Sequence, residues 1–259
     1  MKKINEIFLV LLVLFVTISA VSAEGNFTAL QKDIDTSSGS TIEINQNYVY
    51  DKTTDYELND GIVINRSDFT INGNGYTIDA SNQARIFNIE GNNITISNLN
   101  FINGYSQSNG GAIFSNGNLN LINCIFENNT ANNGGAVYYN NEINSNIITS
   151  TFKGNNATES GGAICLNGSA KNNKFTSEFF NNNAKEAGGG IFFYGIAENN
   201  TIESIFRNNK ACYGAGIFFW NETNKNMFKS DFINNTAKSC GEQYFSTTKQ
   251  ITIHFKAII

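Results

Sequence analysis

Carboxylates, histidine and cysteine are the side chains of this sequence that could carry out chemistry, and their spacing does not form a catalytic pattern. Glycoside hydrolysis needs two carboxylates that lie close together. Glu178 and Asp231 hold equivalent places before a recurring phenylalanine, but two repeats of the sequence separate them. The single histidine, His254, has no partner motif, so neither a histidine-based triad nor a multi-histidine metal site is expected. We therefore expect no enzyme activity, no metal and no cofactor.

The four cysteines offer one candidate disulfide. Cys212 and Cys240 are 28 residues apart, which is one sequence repeat plus two residues, and an even number of cysteines in an exported chain permits bridging. Cys124 stands where other repeats have an inward serine, so we expect a small buried thiol there. Cys165 has aromatic residues as its equivalents in the neighbouring repeats.

The N-terminus predicts export. Lys2 and Lys3 precede an apolar run over residues 7–20 and the small residues Val21-Ser22-Ala23, which is the three-part pattern of a secretory signal over residues 1–23. An uncleaved anchor is the alternative, although the run is short for a bilayer span of about 20 residues. No later segment reaches that length, so we expect a mature chain without a membrane span, secreted or held at the cell surface. The formal net charge of -5 argues against a nucleic-acid partner.

Nine Asn-x-Ser/Thr sequons are candidate N-glycosylation sites in an exported chain. The chain holds 45 asparagines among its 259 residues, so some sequons are expected by chance. They begin at Asn26, Asn65, Asn93, Asn128, Asn156, Asn167, Asn199, Asn221 and Asn234.

Internal repetition is the strongest pattern in the sequence. A phenylalanine recurs at intervals of 26 or 27 residues, and a pair of small residues followed by isoleucine or valine comes eight or nine residues after most copies. The repeated phenylalanines are Phe126, Phe152, Phe179, Phe206 and Phe232, with Phe101 as an earlier copy. The repeat is strongest over residues 97–241, within a repetitive region of residues 24–245. Residues 246–259 do not continue it, which fits a truncated chain.

The local pattern indicates strands and not helices. A small residue and a large apolar one lie two and four residues before each phenylalanine, as Ser177 and Phe175 do before Phe179. This alternation is typical of one face of a strand. The large residues are Ile122, Ile148, Phe175, Ile202 and Phe228. Because such a repeat cannot bury its apolar face alone, the sequence predicts an all-β solenoid of stacked coils, each of about 26 residues.

Asparagine pairs follow the phenylalanines and are expected at the corners of the coils. In stacked coils, the amides of pairs such as Asn128-Asn129 and Asn208-Asn209 can hydrogen-bond from one coil to the next. A solvated turn is the alternative for any single asparagine.

A short amphipathic helix is predicted before the first coil. Asn26 is expected to cap it, and Phe27, Leu30 and Ile34 form its apolar side. The helix would cover the strand edges at the open end of the solenoid.

Three parts of the sequence resemble known proteins. The run from Phe69 to Asp79 resembles the early coils of right-handed parallel β-helices of the pectate-lyase type. The combination of Gly-Gly-Ala-Ile with Phe-x-x-Asn resembles the repeats of chlamydial polymorphic outer membrane proteins. The whole arrangement, over nearly all of residues 24–245, is similar to adhesin-like proteins of methanogenic archaea. These resemblances imply a right-handed parallel β-helix and an adhesive role at the cell surface.

Four aromatic residues of the last two well-conserved copies of the repeat form a predicted binding patch. If the isoleucine of each Gly-Gly-x-Ile segment points into the core, the residues one and three positions later point outward. These residues are Phe192, Tyr194, Phe218 and Trp220. Exposed rings suit stacking on sugars or anchoring a protein. In the opposite register the rings would fill the core, and Phe193 and Phe219 keep that alternative open. Further C-terminal sequence could also cover them.

Two classes of function remain, with a structural surface-layer spacer as a third. We favour an exported surface adhesin that binds glycans or proteins of a host or neighbouring cell. The alternative is a carbohydrate-active enzyme, a polysaccharide lyase or hydrolase on the same fold. A cluster of carboxylates in one groove would favour the enzyme, whereas an exposed aromatic face without such a cluster would favour the adhesin.

Overall fold

Short strands separated by asparagine and glycine turns wind the chain into a parallel β-solenoid. The computed structural model describes residues 24–238 and 252–253. They form about eight turns of about 26 residues each, with one short helix near the N-terminus. Every strand pair among these residues is parallel. The predicted β-solenoid is confirmed.

The strands of the described residues form four sheets that run along the solenoid. The first contains Thr41–Glu43, Tyr48–Val49, Phe69–Asn72, Thr77–Asp79, Ile94–Ser97, Asn100–Ile102, Leu119–Glu127, Ile147–Lys153, Lys174–Phe175, Glu178–Phe180, Thr201–Ile202, Ile205–Arg207, Met227–Phe228, Asp231–Ile233 and Thr252–Ile253. The second contains Ile62–Ile64, Phe87–Ile89, Ile113–Ser115, Val137–Tyr139, Ile164–Leu166, Ile191–Phe193 and Ile217–Phe219. The third contains Thr130–Ala131, Asn156–Ala157, Asn183–Ala184, Lys210–Ala211 and Thr236–Ala237. The fourth contains Ile143–Asn144, Ala170–Lys171, Ala197–Glu198 and Thr223–Asn224.

The predicted helix covers Phe27–Thr36 and has the expected cap and apolar side. The Asn26 side chain accepts a hydrogen bond of 2.9 Å from the backbone N–H of Ala29. Phe27, Leu30 and Ile34 are buried in the same core as the coils. A single turn of 3₁₀-helix at Tyr56–Leu58 is the other helical element described.

The helix is held to the first coils by one buried carboxylate. Asp55 accepts hydrogen bonds from the backbone N–H groups of Phe27 and Thr28, at 3.0 and 2.9 Å, and from that of Asp51 at 2.9 Å. A carboxylate at this place also complements the positive end of the helix dipole. The first coil and the helix are therefore tied together at a polar contact as well as by apolar packing.

The repeated phenylalanines form one internal stack, as predicted. Consecutive ring centroids are 4.7–4.9 Å apart and the planes differ by 3–7°. The rings of Phe101, Phe126, Phe152, Phe179 and Phe206 are fully buried. Phe232, in the last coil of residues 24–238, is 39% exposed.

The prediction that Ile122 belongs to the neighbouring inward column was wrong. Leu121 takes that place and pairs with Ile148, and the register then shifts. Asn123 adopts a left-handed conformation with φ of 53° at the shift. This extra residue is a β-bulge, which returns Cys124 to the inward column.

The asparagine three residues after each repeated phenylalanine from Phe126 onward points inward, and these asparagines form the predicted amide ladder. Each Nδ2 donates to the Oδ1 of the next coil at 2.9–3.0 Å. The ladder contains Asn129, Asn155, Asn182, Asn209 and Asn235. The residue before the ladder asparagine makes the corner, as Asn128 and Asn208 do with φ of 57° and 55°, and Asn128 is exposed whereas Asn208 is partly buried. A solvated turn therefore describes corner residues such as Asn128 and not the ladder asparagines.

The paired glycines have two different roles. Gly161 has a φ of 69°, a conformation that glycine adopts without strain. Gly162 lies so close to the next coil that an added Cβ would collide with the carbonyl oxygen of Gly189. The small pair therefore makes the turn and permits the close approach of two coils.

Several predictions fall on residues outside those described. These are the secretory signal over residues 1–23, Cys240 of the candidate disulfide, and His254. Of the predicted non-repeat tail, 246–259, only Thr252–Ile253 is described, and it pairs in parallel with Met227–Phe228.

Candidate functional site

The outward face of the second sheet carries a separate aromatic cluster. In its strands Ile191 and Phe193 point into the main core, whereas Phe192 between them packs outside it. The same face holds Tyr138 and Cys165 in the two preceding coils. The strand faces therefore lie as the sequence predicts, and the reversed register does not occur.

The four predicted patch residues form a two-by-two array. Ring centroids of Phe192 and Phe218 are 5.9 Å apart, and those of Tyr194 and Trp220 are 6.3 Å apart, across neighbouring coils. Along the strand, the Phe192–Tyr194 and Phe218–Trp220 distances are 6.1 and 6.4 Å. The planes of Tyr194 and Trp220 differ by only 11°. These two rings therefore present nearly parallel faces.

The residues of the array differ in exposure to solvent. Trp220 is 63% exposed and Tyr194 is 49% exposed. The prediction that Phe192 is exposed was wrong, because only 6% of it is accessible. Phe192 is enclosed because Phe218 stacks on it in the next coil and Ala187 and Cys165 pack in the same cluster. Phe192 supports the surface rings and does not itself offer a free face.

A groove of about 500 Å³ lies beside this array. Tyr138, Cys165 and Phe192 are buried residues that form its base. On one side, Tyr194 and Trp220 follow the strands, and we call these two rings the aromatic flank. On the other side, before the glycine turns, lie Glu159 and Glu186, which we call the acidic flank. The groove crosses neighbouring coils and so runs along the solenoid.

The base of the groove is not a reactive centre. Burial, with the nearby Glu159 carboxylate as a second cause, raises the pKa of the Cys165 thiol well above its usual range. Burial also raises the pKa of Tyr138 to about 12, with smaller effects from Cys165 and Tyr194. Both groups are therefore protonated at neutral pH, and Cys165 is a packing residue and not a thiolate nucleophile.

The acidic flank was missed by the reading of the sequence. Glu159 and Glu186 are 27 residues apart and hold equivalent places in adjacent coils. The Glu159 carboxylate accepts a hydrogen bond of 2.7 Å from Asn133 Nδ2. The signal lies in the residues that precede the glycine pairs, where Glu159 and Glu186 each stand two residues before the first glycine.

The candidate glycosylation sites differ in what their amides do. Asn26 is used as the helix cap and also donates to Thr54 Oγ1 at 2.9 Å. Asn167 lines the groove, where its Nδ2 donates to the Asn140 carbonyl oxygen at 3.1 Å. The corners carry Asn93, Asn128, Asn199 and Asn234, all with positive φ. Asn65 and Asn221 are exposed, and Asn156 is partly buried. Modification of these residues stays a prediction.

The glycine turns beside the groove belong to a repeat that occurs in other proteins. Residues 123–140 and 149–167 match the Chlamydia polymorphic membrane protein repeat. The matched segments include Phe126 and Phe152 of the internal stack, and both glycine pairs of their coils. This repeat indicates a protein of the cell surface or outer membrane. No curated protein and no solved structure matches the chain.

The described part of the chain lacks two further features. Residues 24–238 and 252–253 contain no group of three His, Cys, Asp or Glu side chains that could hold a metal ion. Among the same residues, no helix is long and apolar enough to cross a membrane.

Proposed function

We propose that this protein is exported, acts at the cell surface and binds glycans through the groove. The observation that carries the proposal is the pair of nearly parallel, largely exposed rings of Tyr194 and Trp220. The apolar face of a sugar ring stacks on such rings, while its hydroxyl groups need polar partners. Glu159, Glu186 and Asn167 supply those partners around the same groove.

Rigidity of the platform supports this role. Phe192 and Phe218 hold the exposed rings from below, at centroid distances of 6.1 and 6.4 Å. The strands of Phe192 and Phe218 pair in register across the coils, and the backbone N–H of Trp220 donates to the Phe193 carbonyl oxygen at 2.8 Å, so the sheet fixes the backbone beneath the exposed rings. A platform that is fixed before binding loses little conformational entropy when a ligand arrives. A long surface made of stacked coils also suits an adhesin that contacts other cells.

Tryptophan fluorescence tests the proposal, because Trp220 is the only tryptophan of the chain. We expect red-shifted emission that acrylamide quenches readily, and a spectral change when a binding glycan from an array is added. Trp220→Ala should abolish glycan binding. Tyr56→Ala is the control, because Tyr56 is also 63% exposed but lies beside the first coils. Blue-shifted emission that is protected from acrylamide, or full binding by the Trp220→Ala variant, would contradict the proposal.

Glycoside hydrolysis is a second candidate, favoured by the two carboxylates of the acidic flank. Glycosidases use such a pair as acid and base or nucleophile. We rank this candidate lower, because Glu159 and Glu186 share one side of the groove, whereas the two carboxylates of a glycosidase flank the bond that is cleaved. Incubation of the purified protein with polysaccharides, polyuronides included, should release no reducing or unsaturated ends, with or without calcium. Reproducible release that is lost in Glu159→Gln or Glu186→Gln would make this the function.

A further inference from the structure

The acidic flank makes the groove negatively charged. Stacking of a sugar on Tyr194 and Trp220 does not need this charge. Glu159 and Glu186 line it together with one lysine, Lys185, so the groove carries one excess negative charge. The Glu186 carboxylate and the Lys185 ammonium have no hydrogen-bond or ion-pair partner among the described residues. These groups remain available to a ligand.

The two flanks face different parts of a bound sugar. The rings of Tyr194 and Trp220 accept the apolar face of almost any pyranose, so they do not discriminate among sugars. The carboxylates lie on the opposite side of the strands, where substituents at the edge of a stacked ring would meet them. Because two carboxylates outnumber the one ammonium group of Lys185 in the groove, a carboxylate-bearing sugar would be repelled there and an ammonium group would be attracted.

We propose that the groove selects oligosaccharides with free amino groups, namely amino sugars without their N-acetyl groups. This inference rests on the proposed function and names the class of glycan. The amino group of a ring stacked on Tyr194 would pair with Glu186, which precedes the same strand, and the amino group of the next sugar along the groove would pair with Glu159 in the preceding coil. The two carboxylates are in adjacent coils, about 4.8 Å apart along the axis, so neighbouring sugars of one chain can meet them in turn.

The expected ratio of affinities for the amino and N-acetyl sugars depends on how exposed the two carboxylates are. Both glutamates are exposed, and an exposed ion pair changes an affinity about two- to fivefold. Two such pairs give a preference of about fivefold or more for the amino form over the N-acetyl form. Salt screens exposed charges, so the preference should decrease between about 0.02 and 0.5 M ionic strength.

The test compares a glucosamine tetramer with an N-acetylglucosamine tetramer in titrations of Trp220 fluorescence. We expect tighter binding of the glucosamine tetramer, and loss of the preference in the Glu159→Gln/Glu186→Gln double variant. Glutamine keeps the size and an acceptor oxygen, so the Asn133 hydrogen bond can persist. Glu178→Gln is the matched control, because Glu178 is exposed on the first sheet, away from the groove. It should keep the full preference.

The outcomes separate this inference from the proposed function. Equal affinity for the two tetramers, or a preference that survives in the double variant, overturns the inference and leaves glycan binding intact. Absence of binding to any glycan overturns both. A lysine tetrapeptide that binds as tightly as the glucosamine tetramer would also overturn the inference, because the groove would then select charge without a sugar ring.

Discussion

A single asparagine of the internal ladder makes four hydrogen bonds with its side chain. Asn182 Oδ1 accepts from the backbone N–H and from Nδ2 of Asn155, at 3.0 and 2.9 Å. Its Nδ2 donates to the Phe152 carbonyl oxygen at 2.9 Å and to Asn209 Oδ1 at 3.0 Å. Only a primary amide has two acceptor sites and two donors in this arrangement. The asparagine content of the chain therefore has a structural cause.

Replacement of one ladder amide by a carboxylate should be costly. Asn182→Asp removes both hydrogen-bond donors and introduces a negative charge at a fully buried position. We therefore expect the free energy of unfolding to decrease by more than about 2 kcal/mol. The adjacent Asn183 is exposed, and Asn183→Asp should stay within about 0.5 kcal/mol. Denaturant unfolding of the two variants measures the difference. Equal losses would mean that the ladder does not stabilise the fold.

At the scale of one coil, the stacked phenylalanines provide a regular apolar contact with the coils on either side. Phe179 lies between Phe152 and Phe206, with centroids 4.9 and 4.7 Å away, and it is fully buried. Its neighbour Phe180 points outward on the same strand and is only partly buried. One strand thus offers an inward and an outward phenylalanine for comparison.

Loss of an inward ring should affect more than one coil. Phe179→Ala is expected to lower the free energy of unfolding by about 3–5 kcal/mol, because the cavity removes contacts to the coils on both sides. Phe180→Ala should cost clearly less. Thermal and denaturant melts of both variants test this. A loss below about 0.5 kcal/mol for Phe179→Ala would remove the column from the core.

Columns that repeat regularly could be predicted from the sequence, and local exceptions could not. The phenylalanine stack follows from a fixed spacing, and the Asn26 cap follows from local chemistry. The bulge at Asn123 depends on one extra residue that periodicity does not reveal. For this reason the sequence assigned Ile122 to the inward column, which Leu121 occupies. The burial of Phe192 depends on side chains from neighbouring coils, which alternation along one strand does not include.

At the scale of the whole molecule, one core runs from the helix to the last described coils. It contains Phe27 and Leu30 of the helix and continues to Phe219 and Phe228. The two ends differ, because the helix covers the first coil, whereas Phe232 is 39% exposed in the last coil of residues 24–238. In a solenoid each repeat is stabilised mainly by its neighbours. The segment over residues 231–238, in which Phe232 and the strand Thr236–Ala237 are exposed, should therefore open first.

Amide hydrogen exchange tests this order of opening. We expect slow deuterium uptake in residues 147–180 and faster uptake in residues 205–238, because local opening starts where fewer contacts hold the backbone. Peptide-level mass spectrometry of the native protein measures both regions. Equal protection in the two regions would contradict this expectation and would show that the C-terminal coil is covered.

The regular columns also limit how the length of this protein can change during evolution. Removal of residues 161–187 would join Ser160 to Gly188, which follows Ala187 at the equivalent place in the next coil. Each column would lose one member, and the remaining members would still meet. A deletion of a single residue inside a strand would instead reverse the faces that follow it. Unequal recombination between gene copies of the repeat can therefore yield taller or shorter proteins in steps of one coil, whereas a change of one residue needs a local adjustment such as the bulge at Asn123.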